Sequence, residues 1–228
     1  MASEQAIVYG IFKEEIKNRF LCLVTVGFSD VVCYIPSSCR LSNFLDLTGR
    51  RVMLVPTTSK KARTQYSVYA VEYRHRLIPL NLALANRVIE NQIRSRRFAF
   101  LGKRDDVLRE HFADGYKADL YIENTKTILE IKSILSFDRE AVFPTVYSER
   151  GVKQLEKLLK LIDKGYKVAY IFIALNPQTK AVQLNHEIVE YARLFSACIQ
   201  KGMHCHAYAV RLTKDNTLEI KKEIVVEI

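Results

Sequence analysis

The sequence has no uninterrupted apolar run long enough to span a bilayer as a helix. Its first residues, MASEQAIVYGIFKEEI, lack a basic opening followed by an apolar block, the pattern of a secretory leader. Cytoplasmic residence, away from any membrane, is therefore the expectation. Cysteine is scarce and scattered: Cys22, Cys33, Cys39, Cys198 and Cys205 make an odd count of five, with no CxxC pair. No Cys/His ladder suits zinc, and in a chain without a secretion signal these side chains are expected as reduced thiols. Internal repeats and low-complexity segments are also lacking, which excludes solenoids and compositionally driven disorder.

What is present is a hydrophobic content of 49% over 228 residues, enough for a packed core of one large domain or two ordinary ones. The formal net charge is +10. Residues 1–80 carry 11 basic and 6 acidic side chains and residues 81–228 carry 24 and 19, so each part is about +5 and no detachable basic tail exists. An excess of Lys and Arg displaces counterions from phosphate and so favours a polyanion partner, although simple solubility gives the same charge.

Residues 7–80 read as short strands punctuated by turn residues: IVYGIFKEEI, FLCLVTVGF, VVCYIPSS, RRVMLVPTT and QYSVYAVEYR. Five short strands in about 75 residues predict a small closed barrel such as an OB-fold, broken by one amphipathic piece near Leu41–Leu47. The texture changes near Pro79. Residues 82–97 read as a helix ending in a basic cluster, followed by strands at 117–123 and 127–135 and a helix at 152–163. The nearly all-apolar run 167–175 predicts a central strand buried on both faces. A helix at 187–200 and a strand at 204–212 follow, and the tail 218–228 is expected to add an edge strand. Strands alternating with helices predict an α/β layer architecture, α+β overall when the barrel is counted, with the division falling between 1–80 and 81–228.

The chemistry is expected between Asp119 and Lys132. Strand side chains alternate faces, so Glu130 and Lys132 point the same way. A hairpin turning at Asn124-Thr125 would set Glu123 opposite Lys126, Tyr121 opposite Ile128 and Asp119 opposite Glu130. Two carboxylates and an amine would then share one face. Opposed carboxylates repel unless a positive charge lies between them. Mg²⁺, which accepts one or two carboxylates and keeps several waters, or Mn²⁺ answers that need, with the Ile131 carbonyl as a further ligand. Such an ion can activate water toward a phosphodiester, and the Lys132 ammonium would orient the water or stabilise the transition state. A solvated strand face with an ordinary Glu–Lys pair has the same spacing.

Further candidates surround this core. Glu90 lies four residues after Asn86 on the preceding helix, on the same face, where it would add an acidic group or simply be solvated. Lys153 and Gln154, beside the apolar stripe Val152, Leu155, Leu158, Leu159 and Ile162, would reach a phosphate or position water. Arg94, Arg96, Arg97, Lys103 and Arg104, interleaved with Phe98 and Phe100, would clamp a backbone and stack bases, or would complement a helix dipole. His204 and His206 share a strand face without a third ligand, which favours packing or surface roles over metal.

The order and spacing of several blocks resemble the sugar fermentation stimulation protein A family over nearly the whole chain. These are NRFLCLV at 18–24, YIPSSCRLSNFLDLTGRRVMLVP at 34–56, ARTQYSVYAV at 62–71, LANRVIENQI at 84–93, GYKADLYIE at 115–123, ILEIKS at 128–133, FPTVYSERGVKQL at 143–155 and GMHCHAYAV at 202–210. The resemblance implies an N-terminal OB-fold barrel followed by a PD-(D/E)XK nuclease-like mixed sheet flanked by helices. It implies binding to nucleic acid (DNA, RNA or both) and metal-dependent cleavage. Asp119, Glu130 and Lys132 match the nuclease core motif, Glu90 the acidic residue of the earlier helix, and Arg150-Gly151 the Arg-Gly before the next helix. The family's Asn-Thr-Gly-Arg stands here as Ser37-Ser38-Cys39-Arg40, which keeps only Arg40 for phosphate contact. Its Phe-Pro-Asp stands as Phe143-Pro144-Thr145, one acidic group fewer, and its Lys-His-Leu as Lys153-Gln154-Leu155. The expected activity is that of a divalent-metal-dependent nuclease. The alternative classes are a catalytically idle DNA-binding regulator and a scaffold without nucleic acid, and a homo-oligomer stays open in each.

Overall fold

A computed structural model describes residues 7–16, 20–36, 40–57, 62–213 and 215–228. The first six strands are β1 (Val8–Glu15), β2 (Leu21–Val26), β3 (Ser29–Tyr34), β4 (Arg51–Pro56), β5 (Tyr66–Tyr73) and β6 (Arg76–Pro79). They run in the order β3-β2-β1-β4-β5-β6, and a short parallel β3–β5 pairing closes the first five into a barrel. The alternation that marks these strands sends Phe12, Cys22, Val24, Cys33, Val52, Leu54 and Val68 into the barrel core. Closure needs sharp curvature. A register shift between Phe12 and Glu14 bends β1, and Gly10 lets β1 cross β2 so closely that a Cβ there would lie 2.5 Å from Val24 Cγ1. The amphipathic piece shortens to a 3₁₀ turn at Leu41–Asn43. Ser37, Ser38 and Cys39 lie outside the described residues. The remaining cysteines are free thiols, as expected.

Helix α1 (Leu84–Gln92) buries Ala85, Val88 and Ile89 at helical spacing. It stops short of the basic cluster, and residues Arg96–Leu101 form a 3₁₀ segment instead of prolonging the helix. The chain leaves the helix at Ser95, which is extended, and the turn that follows carries Phe98 to a fully buried position, edge-on to Tyr208 at 5.3 Å. Burying that ring outweighs the loss of a few helical hydrogen bonds.

The remainder forms β7 (Val107–Arg109), β8 (Phe112–Ala113), β9 (Tyr116–Lys117), β10 (Leu120–Ile122), β11 (Thr127–Ile134), β12 (Glu140–Phe143), α2 (Glu149–Asp163), β13 (Lys167–Ala174), β14 (Ala181–Leu184), α3 (Val189–Gln200), β15 (His204–Leu212) and β16 (Leu218–Glu227). Eight of these strands make a mixed sheet in the order β12-β14-β16-β15-β13-β11-β10-β7, while β8 and β9 pair as a separate hairpin. The tail is not at an edge: β16 sits between β15 and β14, antiparallel to the first and parallel to the second. The short strands β14 and β12, four residues each, continue the sheet past it.

One face of the sheet, through Leu129, Ile131, Ile171, Ile173 and Tyr208, shares a single core with α1 and the barrel. The other face, through Ile128, Ile134, Tyr170, Phe172 and Ala207, packs on α2 and α3. Covering on both sides explains why β13 is apolar along almost its whole length. Further contacts tie barrel to sheet: Tyr73 stacks on Phe137 at 4.3 Å, with the Arg50 guanidinium 4.4 Å from the Phe137 ring.

Candidate functional site

The predicted hairpin register holds: Tyr121 pairs with Ile128 and Ile122 with Thr127. The turn is a right-handed 3₁₀ turn over Glu123–Thr125, closed by Lys126 in the left-handed region, so Asn124 needs no positive φ. Strand pairing between β10 and β11 ends at Leu120–Leu129. One residue before β10, Asp119 Oδ2 accepts the main-chain N–H of Ile131 at 2.8 Å, and Asp119 Oδ1 accepts from Asn86 Nδ2 at 3.1 Å. The parting of the two strands opens a notch that exposes this carboxylate's remaining lone pairs.

Glu130 and Lys132 both point to the α2–α3 side. Glu130 is 3% exposed, one of four buried polar or charged residues among those described. Its Oε1 accepts from Lys132 Nζ at 2.6 Å and from Gln154 Nε2 at 3.2 Å, while Gln154 Oε1 accepts from Lys132 Nζ at 2.9 Å. Glu130 Oε2 accepts from the Tyr116 hydroxyl. Gln154 is held by α2, whose Leu155 and Leu158 are fully buried, each stabilising by about 1.5–3 kcal/mol. The N-terminus of α2 is fixed by Ser148 Oγ, which accepts from Gly151 N at 3.2 Å.

Two carboxylates brought together in a half-dry notch disturb one another. Burial, and then the neighbouring Glu130 charge, push the Asp119 carboxyl above its ordinary value, against the pull of the Ile131 N–H, Lys132 and Asn86. Burial first and the Glu130 charge second push the Tyr116 hydroxyl far upward, so it remains a proton donor to Glu130. Around these groups lies a cavity of about 840 Å³. Tyr116, Phe143, Pro144 and Tyr191 line its apolar side, and Lys117, Arg150, Lys153 and Lys157 its basic rim. Lys117 and Lys153 are paired with Glu110 and Glu149 at 2.6 and 2.5 Å. Arg150 and Lys157 have no side-chain partner among the described residues.

The donor set can be tested for a divalent cation by counting acceptor positions, about four on an ionised carboxylate. Three on Glu130 and two on Asp119 are taken, which leaves one and two without a partner among the described residues, on side chains that both line the cavity. Among the described residues no group of three or more His, Cys, Asp or Glu side chains is placed to hold a metal. Two carboxylates beside the Ile131 main chain therefore fit a hard ion that keeps much of its water, and not a closed protein cage.

The other predicted residues are elsewhere. Glu90 lies one turn beyond Asn86 but pairs with Arg109 Nε at 3.3 Å, outside the cavity lining. Arg94, Arg96 and Arg97 also lie outside it. Arg94 donates to the Asp105 carbonyl at 3.2 Å and Arg97 to Gln92 at 3.3 Å, while Arg104 donates to the Phe98 and Gly102 carbonyls. Phe98 is core, and Phe100 stacks on His206 with centroids 3.9 Å apart, so the interleaved aromatics are spent on packing. His206 also contacts Glu223 at 2.8 Å. Arg40 borders a separate depression of about 190 Å³ in the barrel wall. Tyr116 and Lys157 were not expected at the site. Tyr116 had a readable signal: Asp114-Gly115, both at positive φ, is a hairpin dipeptide that folds β8 onto β9 and delivers the residue that follows it.

Fold and site together define a two-part α+β protein, an OB barrel joined through a shared core to a mixed sheet flanked by helices, with a carboxylate–lysine cluster at a break in that sheet. The family model of the sugar fermentation stimulation protein RE domain matches residues 83–216, and that of the SfsA N-terminal OB domain matches residues 16–80. The chain belongs to the sugar fermentation stimulation protein (SfsA) family. It is 27% identical over 227 residues to a sugar fermentation stimulation protein homolog of Desulforamulus reducens, covering 97% of this chain and 93% of the relative. A homolog of Methanobrevibacter smithii is 28% identical over 193 residues, 79% of this chain and 80% of that protein. A solved structure of Pyrococcus furiosus SfsA in complex with Ca²⁺ superimposes with a TM-score of 0.82 at 21% identity, covering 98% and 96% of the two chains. No helix among the described residues is long and apolar enough to cross a membrane.

Proposed function

We propose that this protein is a divalent-metal-dependent nuclease, with a PD-(D/E)XK-type site, that hydrolyses phosphodiester bonds in DNA or RNA. The observation that carries the reading is the juxtaposition of Asp119 and the buried Glu130 with the Lys132 ammonium in one cation-rimmed cavity. Asp119, Glu130 and the Ile131 carbonyl would hold Mg²⁺ or Mn²⁺. The Ca²⁺ complex of the structurally similar Pyrococcus furiosus protein supports a hard divalent ion here. When bound, such an ion supplies Lewis acidity and a nucleophile at neutral pH.

The chain's own residues do the rest. Lys132 is held between Glu130 and Gln154 at 2.6 and 2.9 Å, which fixes its ammonium where charge develops on a reacting phosphate. Gln154 presents both an acceptor and a donor there and so sets the direction of that ammonium. Arg150, Lys153 and Lys157 follow one another at helical spacing along the exposed face of α2, a run of about 10 Å, and would hold phosphates flanking the scissile bond. Glu90 would contribute only after releasing Arg109. The barrel and the cations Arg40, Arg94, Arg96 and Arg97 would add contacts to the same strand away from the cavity. Residence in the cytoplasm suits such a substrate.

The test is an assay on labelled single-stranded DNA, duplex DNA and RNA, each with Mg²⁺, Mn²⁺ or EDTA. Metal-dependent cutting of at least one substrate is expected, and the panel ranks the three. Salt-sensitive binding to all three without cutting under any metal would instead make the protein a regulator with an idle site.

A further inference from the structure

We propose that Tyr116 is a positioning residue for the divalent-cation site: its hydroxyl holds Glu130 so that the carboxylate turns one lone pair toward Asp119 instead of closing on Lys132. The inference rests on the metal-dependent reading above and adds a residue to it.

Glu130 is pulled from two sides. Lys132 Nζ and Gln154 Nε2 both bind Oε1, at 2.6 and 3.2 Å. The Tyr116 hydroxyl binds Oε2, and no other described residue does. The last torsion of a glutamate is soft, with broad minima. Without the hydroxyl, nothing opposes the nearby ammonium, and the carboxylate rotates to share both oxygens with Lys132. That rotation takes away the lone pair that faces the notch and leaves Asp119 as the sole acidic ligand. Tyr116 thus keeps Lys132 a neighbour of the ligand and not a competitor for its site.

The hydroxyl is fixed well enough for this task. Tyr116 is 3% exposed. It lies on the β8–β9 hairpin, where it pairs with Ala113 across the Asp114-Gly115 turn. The hairpin is braced across its two strands by Lys117 to Glu110 at 2.6 Å and by Ala118 N to the His111 carbonyl at 2.9 Å, and Lys164 at the α2 C-terminus ties its turn to the helix through Asp114 at 2.6 Å. Outer-shell hydrogen bonds of this kind typically alter metal affinity about 10–100-fold when removed. With one open position on Glu130 shared with Asp119, the expected stoichiometry is one ion per chain.

The test is isothermal titration of Mn²⁺ into the full chain without nucleic acid, comparing wild type, Tyr116→Phe and Tyr191→Phe, with circular dichroism and thermal midpoints recorded for each. Tyr191 also lines the cavity, but its hydroxyl pairs with Tyr170 at 2.8 Å. Wild type should bind one ion, Tyr116→Phe should bind about 10–100-fold more weakly with its fold retained, and Tyr191→Phe should match wild type. In a Lys132→Met background the Tyr116→Phe loss should shrink, because the competing ammonium is gone. Equal affinity of wild type and Tyr116→Phe overturns the positioning role while leaving the site standing. Equal losses in both tyrosine variants, or an undiminished loss in the Lys132→Met background, overturn it as general loosening. A wild type that takes up no Mn²⁺ overturns the metal-dependent reading itself.

Discussion

Asp119 Oδ2 accepts the main-chain N–H of Ile131 at 2.8 Å, doing with a side chain what Ala118, opposite Ile131 in a continued β10–β11 ladder, would have done with main chain. One carboxylate is thereby tied to the strand that carries the other. The break in the sheet and the approach of two acidic groups are a single feature of the backbone. The arrangement costs stability in the metal-free protein, and three predictions follow from that cost and from the charges around it.

The first concerns pH. Asp119 has a folded pKa raised above its ordinary 3.8 by burial and by Glu130. The folded state therefore holds this proton more tightly than the unfolded state. The corresponding stabilisation is complete below 3.8 and is lost as pH rises through the raised value. In EDTA, the stability of Asp119→Asn relative to wild type should rise as pH increases from about 4 toward neutrality, on top of a pH-independent cost for the hydrogen bond its amide cannot accept, and Mg²⁺ should weaken that trend. Denaturant midpoints across that range check it, and a gap that ignores pH contradicts the raised value.

The second concerns Lys132. Removing the ammonium leaves Glu130 buried with only neutral donors, Gln154 and Tyr116. Lys132→Ala should cost about 3–5 kcal/mol in urea unfolding without metal. Part of the loss should return on adding Mg²⁺, since the ion replaces the missing charge. Loss of the same size with and without Mg²⁺ would show that the cation does not sit beside Glu130.

The third concerns the rim. Lys157 lines the cavity, whereas Lys160, also exposed on α2, does not. In EDTA, Lys157→Gln should reduce the salt dependence of nucleic-acid binding by about one unit of slope, and Lys160→Gln should leave it unchanged. Fluorescence anisotropy at several salt concentrations measures this. Equal effects of the two substitutions would mean that binding follows net charge and not the cavity rim.

Much of this was legible from pattern. Alternation in residues 7–80 foretold the barrel, the apolar run of β13 its double burial, and Glu-x-Lys the shared face of Glu130 and Lys132. The hairpin register followed from chain direction and turn length, so Asp119 was found although its turn is 3₁₀. What stayed hidden depends on contacts between segments far apart in sequence. Nothing local shows that the chain leaves the helix at Ser95 to bury Phe98, that Arg109 claims Glu90, or that β16 inserts between β14 and β15. Tyr116 is the intermediate case: its hairpin is written in Asp114-Gly115, but its bond to Glu130 appears only once the hairpin is folded over the sheet.

The central claim is that Glu130 and Lys132 perform metal-dependent phosphodiester cleavage, and the most direct test is the cleavage rate of wild type, Glu130→Ala and Lys132→Ala on the best substrate, with Mg²⁺ and with EDTA, alongside binding measured on the same samples. The account predicts cutting by wild type in Mg²⁺ alone and a fall of about 100-fold or more in each variant with binding retained. Cutting that survives EDTA, or that both variants perform at the wild-type rate, would contradict it.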